Sequence, residues 1–312
     1  MSVRQTRVTA VMITYNRQAE MLRSLDKLCS LPEAVRVILV DNGSSDGSAE
    51  AVARRLPQVK IIRSKKNIGA AARNLGVEQA TTPYVALCDD DTWWEAGCLS
   101  KAADLLDAYP RVAVLSARLL NGLEEIEDPI CQVMLDSPLR CAEALPGTPI
   151  LGFLAGASVV RRDAFLEAGG FDPRLFIGGE EELVTLHLAA RGWKLCYIPE
   201  LIVHHYPSPR RDAPRRSFHV FRNRLWVSWL RRPARTAWRQ TLAALKQAAR
   251  DAIAARGFYG ALVGLPWILR ERCVVPPELE EQLCLLECAH LPSSCQEEGA
   301  LACEVASCAV PQ

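Results

Sequence analysis

The 312-residue sequence has no P-loop, no G-x-G-x-x-G after an apolar run and no C-x-x-C pair. It also has no segment of about 18 uninterrupted apolar residues, the length needed to cross a bilayer. The first two absences remove the two commonest phosphate cradles, so any bound phosphate must be neutralised by other means. The third removes the usual ligand spacing of a structural zinc site. The opening apolar run, Val8 to Ile13, is too short for a signal sequence with its cleavage site. A cytoplasmic protein is therefore expected, with its twelve cysteines reduced. Strong charge of one sign is missing too. The net charge is +1, which points to neither an acidic partner nor nucleic acid, and no recognition motif accompanies the arginines.

What is present is an alternation of short apolar runs and helical patterns. Val8–Ile13, Val35–Val40, Val59–Arg63 and Tyr84–Cys88 read as strands, nearly continuous in apolar residues as strands covered on both faces are. Between them, Leu22, Leu25 and Leu28 recur at helical spacing before Pro32. A helix is expected over 48–56, and another opens at Asn67-Ile68-Gly69 and carries Ala72, Leu75 and Ala80. This rhythm predicts βαβ units and an α/β fold with a parallel sheet flanked by helices. Ligands bind such sheets beyond the carboxyl ends of the strands. The residues there are Thr14-Tyr15-Asn16, Asp41-Asn42 and Asp89-Asp90-Asp91, so all three clusters are expected to line one crevice.

The aspartate triplet directly follows an apolar strand. On an extended backbone Asp89 and Asp91 point the same way, so both can approach one cation while Asp90 points elsewhere. Oxygen ligands with open positions suit Mg²⁺ or Mn²⁺ bridging to substrate phosphates. The plainer alternative is that Asp91 caps a helix beginning near Trp93. Trp93-Trp94 fit either stacking on a sugar or core packing. Farther on, Glu180-Glu181-Glu182 is either the acidic first turn of a helix continued by Leu183, Leu186 and Ala190, or the source of a general base, or both.

Together these stretches resemble the family 2 glycosyltransferases. The likeness is carried by Val11-Met12-Ile13-Thr14-Tyr15-Asn16-Arg17, Val40 to Asp46, Asn67 to Asn74 and Asp89-Asp90-Asp91. It continues through Gly169-Gly170-Phe171-Asp172, Gly179 to Glu182 and Ile198-Pro199-Glu200 to His205, and covers about residues 6–230 in one order. The resemblance implies a GT-A fold, mostly parallel, and an inverting transfer of sugar from a nucleotide-diphosphate donor (UDP-, dTDP- or GDP-linked) to a hydroxyl acceptor. It implies that Thr14, Tyr15, Asn16 and Asp41 hold the nucleoside, with Asn67, Gly69 and Arg73 along the nucleotide. Asp89 and Asp90 would be nucleotide-side residues and Asp91 the direct metal ligand, with His205, or else His204, completing the Mg²⁺ or Mn²⁺ site. The family's second acid of the Glu-Asp pair maps onto Glu181 as the base. Because this chain has Glu there, Glu180 stays an alternative. Arg222 or Arg224, in Phe221-Arg222-Asn223-Arg224-Leu225-Trp226, would bind the departing diphosphate. Two other readings share the sheet: a sugar-1-phosphate nucleotidyltransferase, which would want a Gly-rich phosphate loop, and a scaffold that binds nucleotide-sugar without turnover.

Beyond the likeness the chain divides into a catalytic part at 1–230, a helical extension at 231–272 and a cysteine-containing tail at 273–312. Ten arginines fall between Arg210 and Arg239. Residues 233–256 read as one basic helix with Leu242, Leu245, Ala249 and Ile253 on one side, followed by an apolar stretch broken by Pro266. Two readings fit: peripheral contact with the inner face of an anionic membrane, or a lid packed on the catalytic domain with a solvated arginine face. The tail holds Cys273, Cys284, Cys288, Cys295, Cys303 and Cys308, expected as buried or free thiols.

Overall fold

The computed structural model describes residues 6–207 and 213–289. The order is β1 (Val8–Thr14), α1 (Gln18–Cys29), β2 (Arg36–Asp41), α2 (Ser48–Arg55), β3 (Lys60–Arg63), a 3₁₀ turn at Gly69–Ala71, α3 (Ala72–Gln79) and β4 (Tyr84–Cys88). Then come β5 (Thr92–Trp94), α4 (Cys98–Ala108), β6 (Val112–Asn121), β7 (Ile126–Glu127), α5 (Pro129–Leu135), β8 (Thr148–Pro149), β9 (Ala157–Arg161) and α6 (Arg162–Glu167). The remainder is α7 (Glu180–Ala190), β10 (Lys194–His205), α8 (Ala213–Arg231), α9 (Ala234–Ala248), α10 (Ala252–Val263), α11 (Leu265–Glu271) and α12 (Pro277–Ala289).

The strands form one sheet in the order β3-β2-β1-β4-β9-β6-β10-β5, with β7 beside β6 and β8 beside β10. Its first half is parallel, as the apolar runs predict. Its second half is mixed. β9 lies antiparallel between β4 and β6, and β5 lies antiparallel on β10. Val11, Leu39, Val85 and Leu87 are fully buried, which is why these strands carry no alternating polar residues. Polar side chains enter where the strands stop. A second, smaller core joins Leu175, Leu183 and Leu186 near α7 to Leu225, Val227 and Leu230 of α8 and to Ile268 and Leu279 beyond it.

Two local expectations are corrected. Asp91 caps no helix at Trp93, because Thr92–Trp94 is strand β5 and the next helix begins at Cys98. The basic segment 233–256 is not one helix. It breaks at Asp251, whose side chain accepts from the Ala254 amide at 2.6 Å and caps α10. Nor are its leucines packed inward: Leu242 and Leu245 are exposed. Cys284 and Cys288 lie half-buried on α12, and Cys273 is an exposed free thiol. Cys295, Cys303 and Cys308 lie outside the described residues.

Candidate active site

The triplet leaves β4 in a turn, not an extended segment. The Thr92 amide bonds the Asp89 carbonyl at 3.2 Å, and the Thr92 hydroxyl accepts from the Asp89 amide at 2.9 Å. Asp89 and Asp91 do not share the direction expected for them: Asp89 goes to Arg73, while Asp90 and Asp91 meet on Arg17. Asp89 pairs with the buried guanidinium of Arg73. Its carboxylate also lies over Gly156, where an added Cβ would come within 2.7 Å of Oδ2. Asp90 turns inward to the Thr14 hydroxyl, which donates at 3.0 Å, and to Arg17 Nη1 at 3.1 Å. Burial pushes the Asp90 carboxyl up to about 7, and its two acidic neighbours add to the shift against the pull of Arg17. Asp91 receives Arg17 Nη1 at 3.4 Å and faces His205. Arg17 is a site residue that the sequence reading quoted without assigning. Its signal is a cation placed at the close of β1, opposite the acids closing β4.

His205 reaches Asp91 through sheet pairing. β5 follows the triplet at once and pairs antiparallel with β10, setting His205 opposite Thr92. The Tyr206 amide bonds the Asp91 carbonyl at 2.8 Å and ties the two ends together. His205 Nε2 then lies 3.6 Å from Asp91 Oδ1. A chain of bonds orients the ring. Asn121 Nδ2 donates to Asp128 Oδ2 at 2.8 Å, which turns Asn121 Oδ1 to His205 Nδ1 at 2.7 Å. Nδ1 is thus the nitrogen engaged by Asn121, and Nε2 is the one turned to a carboxylate oxygen. A ring nitrogen and a carboxylate oxygen set in this way could share a cation. An imidazole and a carboxylate, with the other positions left to phosphate and water, suit Mn²⁺ or Mg²⁺. Among the described residues no set of three or more His, Cys, Asp or Glu side chains could hold a metal, so most ligands would come from substrate and solvent. His204 alternates to the other face of β10. There it lies 2.7 Å from Glu95 and 3.1 Å from Glu125 and stacks on Trp93 at 5.5 Å, away from Asp91. Trp94 is buried, and both tryptophans serve packing here.

At the ends of β1 and β2, Asp41 Oδ1 accepts from the Ser44 amide at 2.9 Å, and Asn16, at φ 53°, accepts from the Ser45 amide at 2.8 Å. These bonds shape the two loops around Thr14. Tyr15, just past β1, is 45% exposed. Asn42 fastens the third loop: its side chain donates to Asn67 Oδ1 and the Gly69 carbonyl and accepts from the Ile68 amide, all within 3.0 Å. Gly69 is required, with φ 67° and an added Cβ only 1.9 Å from the Phe176 carbonyl. That carbonyl accepts from the Ala70 amide at 2.7 Å, linking the loop at 67–69 to the segment before α7.

Glu180 and Glu181 open α7. Glu180 is buried and its Oε2 has no hydrogen-bond partner, while Glu181 is half-buried with Oε1 accepting from the Ala155 amide at 2.6 Å. Burial raises both pKa values above the ordinary carboxylate range, and the charge of Glu180 adds to the rise at Glu181. Arg73 opposes the shift at both, so one guanidinium faces Asp89 and both glutamates electrostatically. Arg222 has other work than the diphosphate expected for it. Its guanidinium donates to the carbonyls of Arg174 and Leu175 and lies 4.0 Å over the Trp226 ring. Burial lowers its pKa to about 10. Arg224 is exposed, and its charge acts on Glu182. Asn223 between them is fully buried and donates to the carbonyls of Leu175, Ile177 and Gly178, holding the loop that delivers Glu180. On α8 the charge of Arg216 reaches Glu180, and Arg215 lies 5.0 Å over the Phe176 ring. Two cavities of about 780 and 400 Å³ are lined by none of these residues.

Comparison with known proteins agrees with this geometry. The sequence profile "Glycosyl transferase family 2" matches residues 9–167. An N-acetylglucosaminyl-diphospho-decaprenol L-rhamnosyltransferase of Mycobacterium tuberculosis is 27% identical over 274 residues, covering 75% of this chain and 89% of that protein. Two solved structures share the fold. One is a mannosyltransferase from Pyrobaculum calidifontis in complex with GDP-Man and Mn²⁺ (TM-score 0.55, 19% identity, 96% of this chain and 80% of the other). The second is GalNAc-T7 with UDP, GalNAc and Mn²⁺ (TM-score 0.60, 15% identity, 86% and 56%). With the parallel half-sheet, the loops around Thr14 and the acids at the strand ends, these matches establish that the chain belongs to glycosyltransferase family 2, has the GT-A fold and transfers sugar.

Proposed function

We propose that the chain is an inverting glycosyltransferase that moves a sugar from a nucleotide-diphosphate donor to a hydroxyl of a lipid-linked acceptor, aided by Mg²⁺ or Mn²⁺ at Asp91 and His205. The observation that carries the cation is the position of His205 Nε2, held 3.6 Å from Asp91 Oδ1 by the chain through Asn121 and Asp128. When bound, a divalent cation would neutralise the diphosphate, the task for which this sequence has no P-loop. The loops at Asn16, Asp41 and Asn67–Gly69 would hold the nucleoside. Arg216 would take the part at the diphosphate that the sequence suggests for Arg222, which is engaged by carbonyls.

Glu181 supplies the base. One oxygen is fixed by the Ala155 amide, which leaves the other to take the acceptor proton. As that proton moves to Glu181, the acceptor oxygen bonds the anomeric carbon from the face opposite the diphosphate. The electron pair of the breaking bond departs on the diphosphate, and configuration inverts. Buried Glu180 raises the affinity of Glu181 for the proton and is less open to the acceptor. A lipid-linked acceptor is supported by the acceptor named for the mycobacterial relative, and would place the reaction at the cytoplasmic face of a membrane.

Turnover and donor binding separate the roles. Asp91→Asn is expected to lower turnover about 1,000-fold or more and to remove the Mn²⁺-dependent part of donor binding. Glu181→Gln is expected to lower turnover by about 10²–10⁴-fold while donor binding stays within about twofold. Near-normal turnover in both folded variants would sink the reading.

A further inference from the structure

We infer that the outer face of α9, α10 and α11 is a docking surface for an anionic lipid bilayer. On α9, Trp238, Leu242 and Leu245 follow one another at helical spacing and are 57%, 57% and 50% exposed. On α10 and α11, Tyr259, Leu262, Val263 and Leu269 continue such a stripe past the break at Gly264, with Tyr259 at 70%. Seven of the fifteen exposed large apolar side chains among the described residues therefore fall within 32 positions. The two stripes adjoin, since Thr241 of α9 borders the same small apolar cleft as Leu262 and Leu265. Trp238 is also braced from below, edge-on to Trp229 at 5.1 Å. Patches of this kind on a folded surface mark a binding partner.

Charge selects the partner. Residues 231–272 contain nine Arg or Lys and two Asp or Glu, in a chain whose net charge is only +1. Arg232 and Arg239 are engaged by Glu280 and Glu287 of α12. Arg235, Lys246, Arg250, Arg256 and Arg270 are exposed around the apolar stripes. A second copy of this face would bring like charges together, whereas phosphate headgroups match basic side chains that flank apolar ones. The geometry fits lying on a bilayer better than crossing it. No single described helix is long and apolar enough to cross, and α10 and α11, which together have the length and composition, are bent by 54°.

The surface can be tested without any sugar transfer, so its failure and the failure of the proposed reaction are told apart. The full chain is sedimented with vesicles of phosphatidylcholine alone and with vesicles containing about a third phosphatidylglycerol. Binding is expected on the anionic vesicles at low salt, at least tenfold weaker on the neutral ones, and weakened by high salt. Arg235→Glu with Arg256→Glu should weaken it more than tenfold, since each cation near the surface contributes about fivefold. Leu242→Gln with Tyr259→Gln should also weaken it, with turnover on a water-soluble acceptor unchanged. Absence of binding to anionic vesicles, or wild-type binding by both folded double variants, overturns the assignment. So does a dimer in size-exclusion chromatography that these variants dissociate, because it would give the face to a second copy.

Discussion

The parallel half of the sheet and the α9–α11 helices treat apolar residues in opposite ways. In β1, β2 and β4 the side chains of Val11, Leu39 and Leu87 are fully buried and polar groups wait for the strand ends. On α9 the largest apolar side chains face out, and Ala237 is the residue buried. The sheet half spends its hydrophobicity on cohesion and concentrates charge at one edge. The helical half disperses charge around an exposed apolar face. An apolar run therefore says little until its burial is known: leucines make a core in one region and face outward in the other.

That contrast can be broken by mutation. The largest stability effect is expected at Leu87→Ala, about 3 kcal/mol by urea denaturation, because a cavity forms in a packed sheet. Leu242→Ser should cost at most about 0.5 kcal/mol. Equal costs would remove the distinction between the regions. Between these extremes stands Asn121→Leu, which removes the acceptor orienting His205 Nδ1. Donor affinity in the presence of Mn²⁺ should fall about 10- to 100-fold, with metal-free affinity unchanged. Loss of both equally would make Asn121 a folding residue only.

A smaller effect sharpens the site side of the comparison. Folding raises the Glu181 pKa, so the folded chain binds that proton more tightly than the unfolded chain does. Its contribution to stability is therefore present at low pH and is lost as pH climbs from the ordinary 4.5 through the raised value. Glu181→Gln, which keeps an acceptor for the Ala155 amide, should raise Tm by about 2 °C at pH 8 and by less at pH 5. Turnover of the wild type should fall on the acid side well above pH 4.5, as Glu181 takes up its proton. A Tm gain independent of pH would contradict the assignment.

Much of this molecule was legible in its sequence because buried parallel strands write long apolar runs and stop on polar residues. β4 ends at Cys88 as read, and the strand rhythm led to the α/β sheet. What stayed hidden depends on partners far away in the chain. β5 is three residues long and exists because residues 203–205 pair with it, so nothing local announces it. The separation of Asp89 from Asp90 and Asp91 follows from a turn closed by Thr92 and from Arg73 and Arg17, cations supplied by other segments. Asn223 and Arg222 hold the loop before α7 through main-chain carbonyls, which no residue pattern records. The break at Asp251 was readable, since an aspartate three residues before Ala254 is an ordinary helix cap.

The central claim is that Asp91 and His205 share a divalent cation with the donor diphosphate. Calorimetric titration of a nucleoside diphosphate into wild type, Asp91→Asn and His205→Ala, each with and without Mn²⁺, tests it most directly. The account predicts Mn²⁺-enhanced binding in wild type, at least tenfold weaker enhancement in His205→Ala and none in Asp91→Asn. Binding that ignores Mn²⁺, or enhancement of equal size in all three folded proteins, would contradict it.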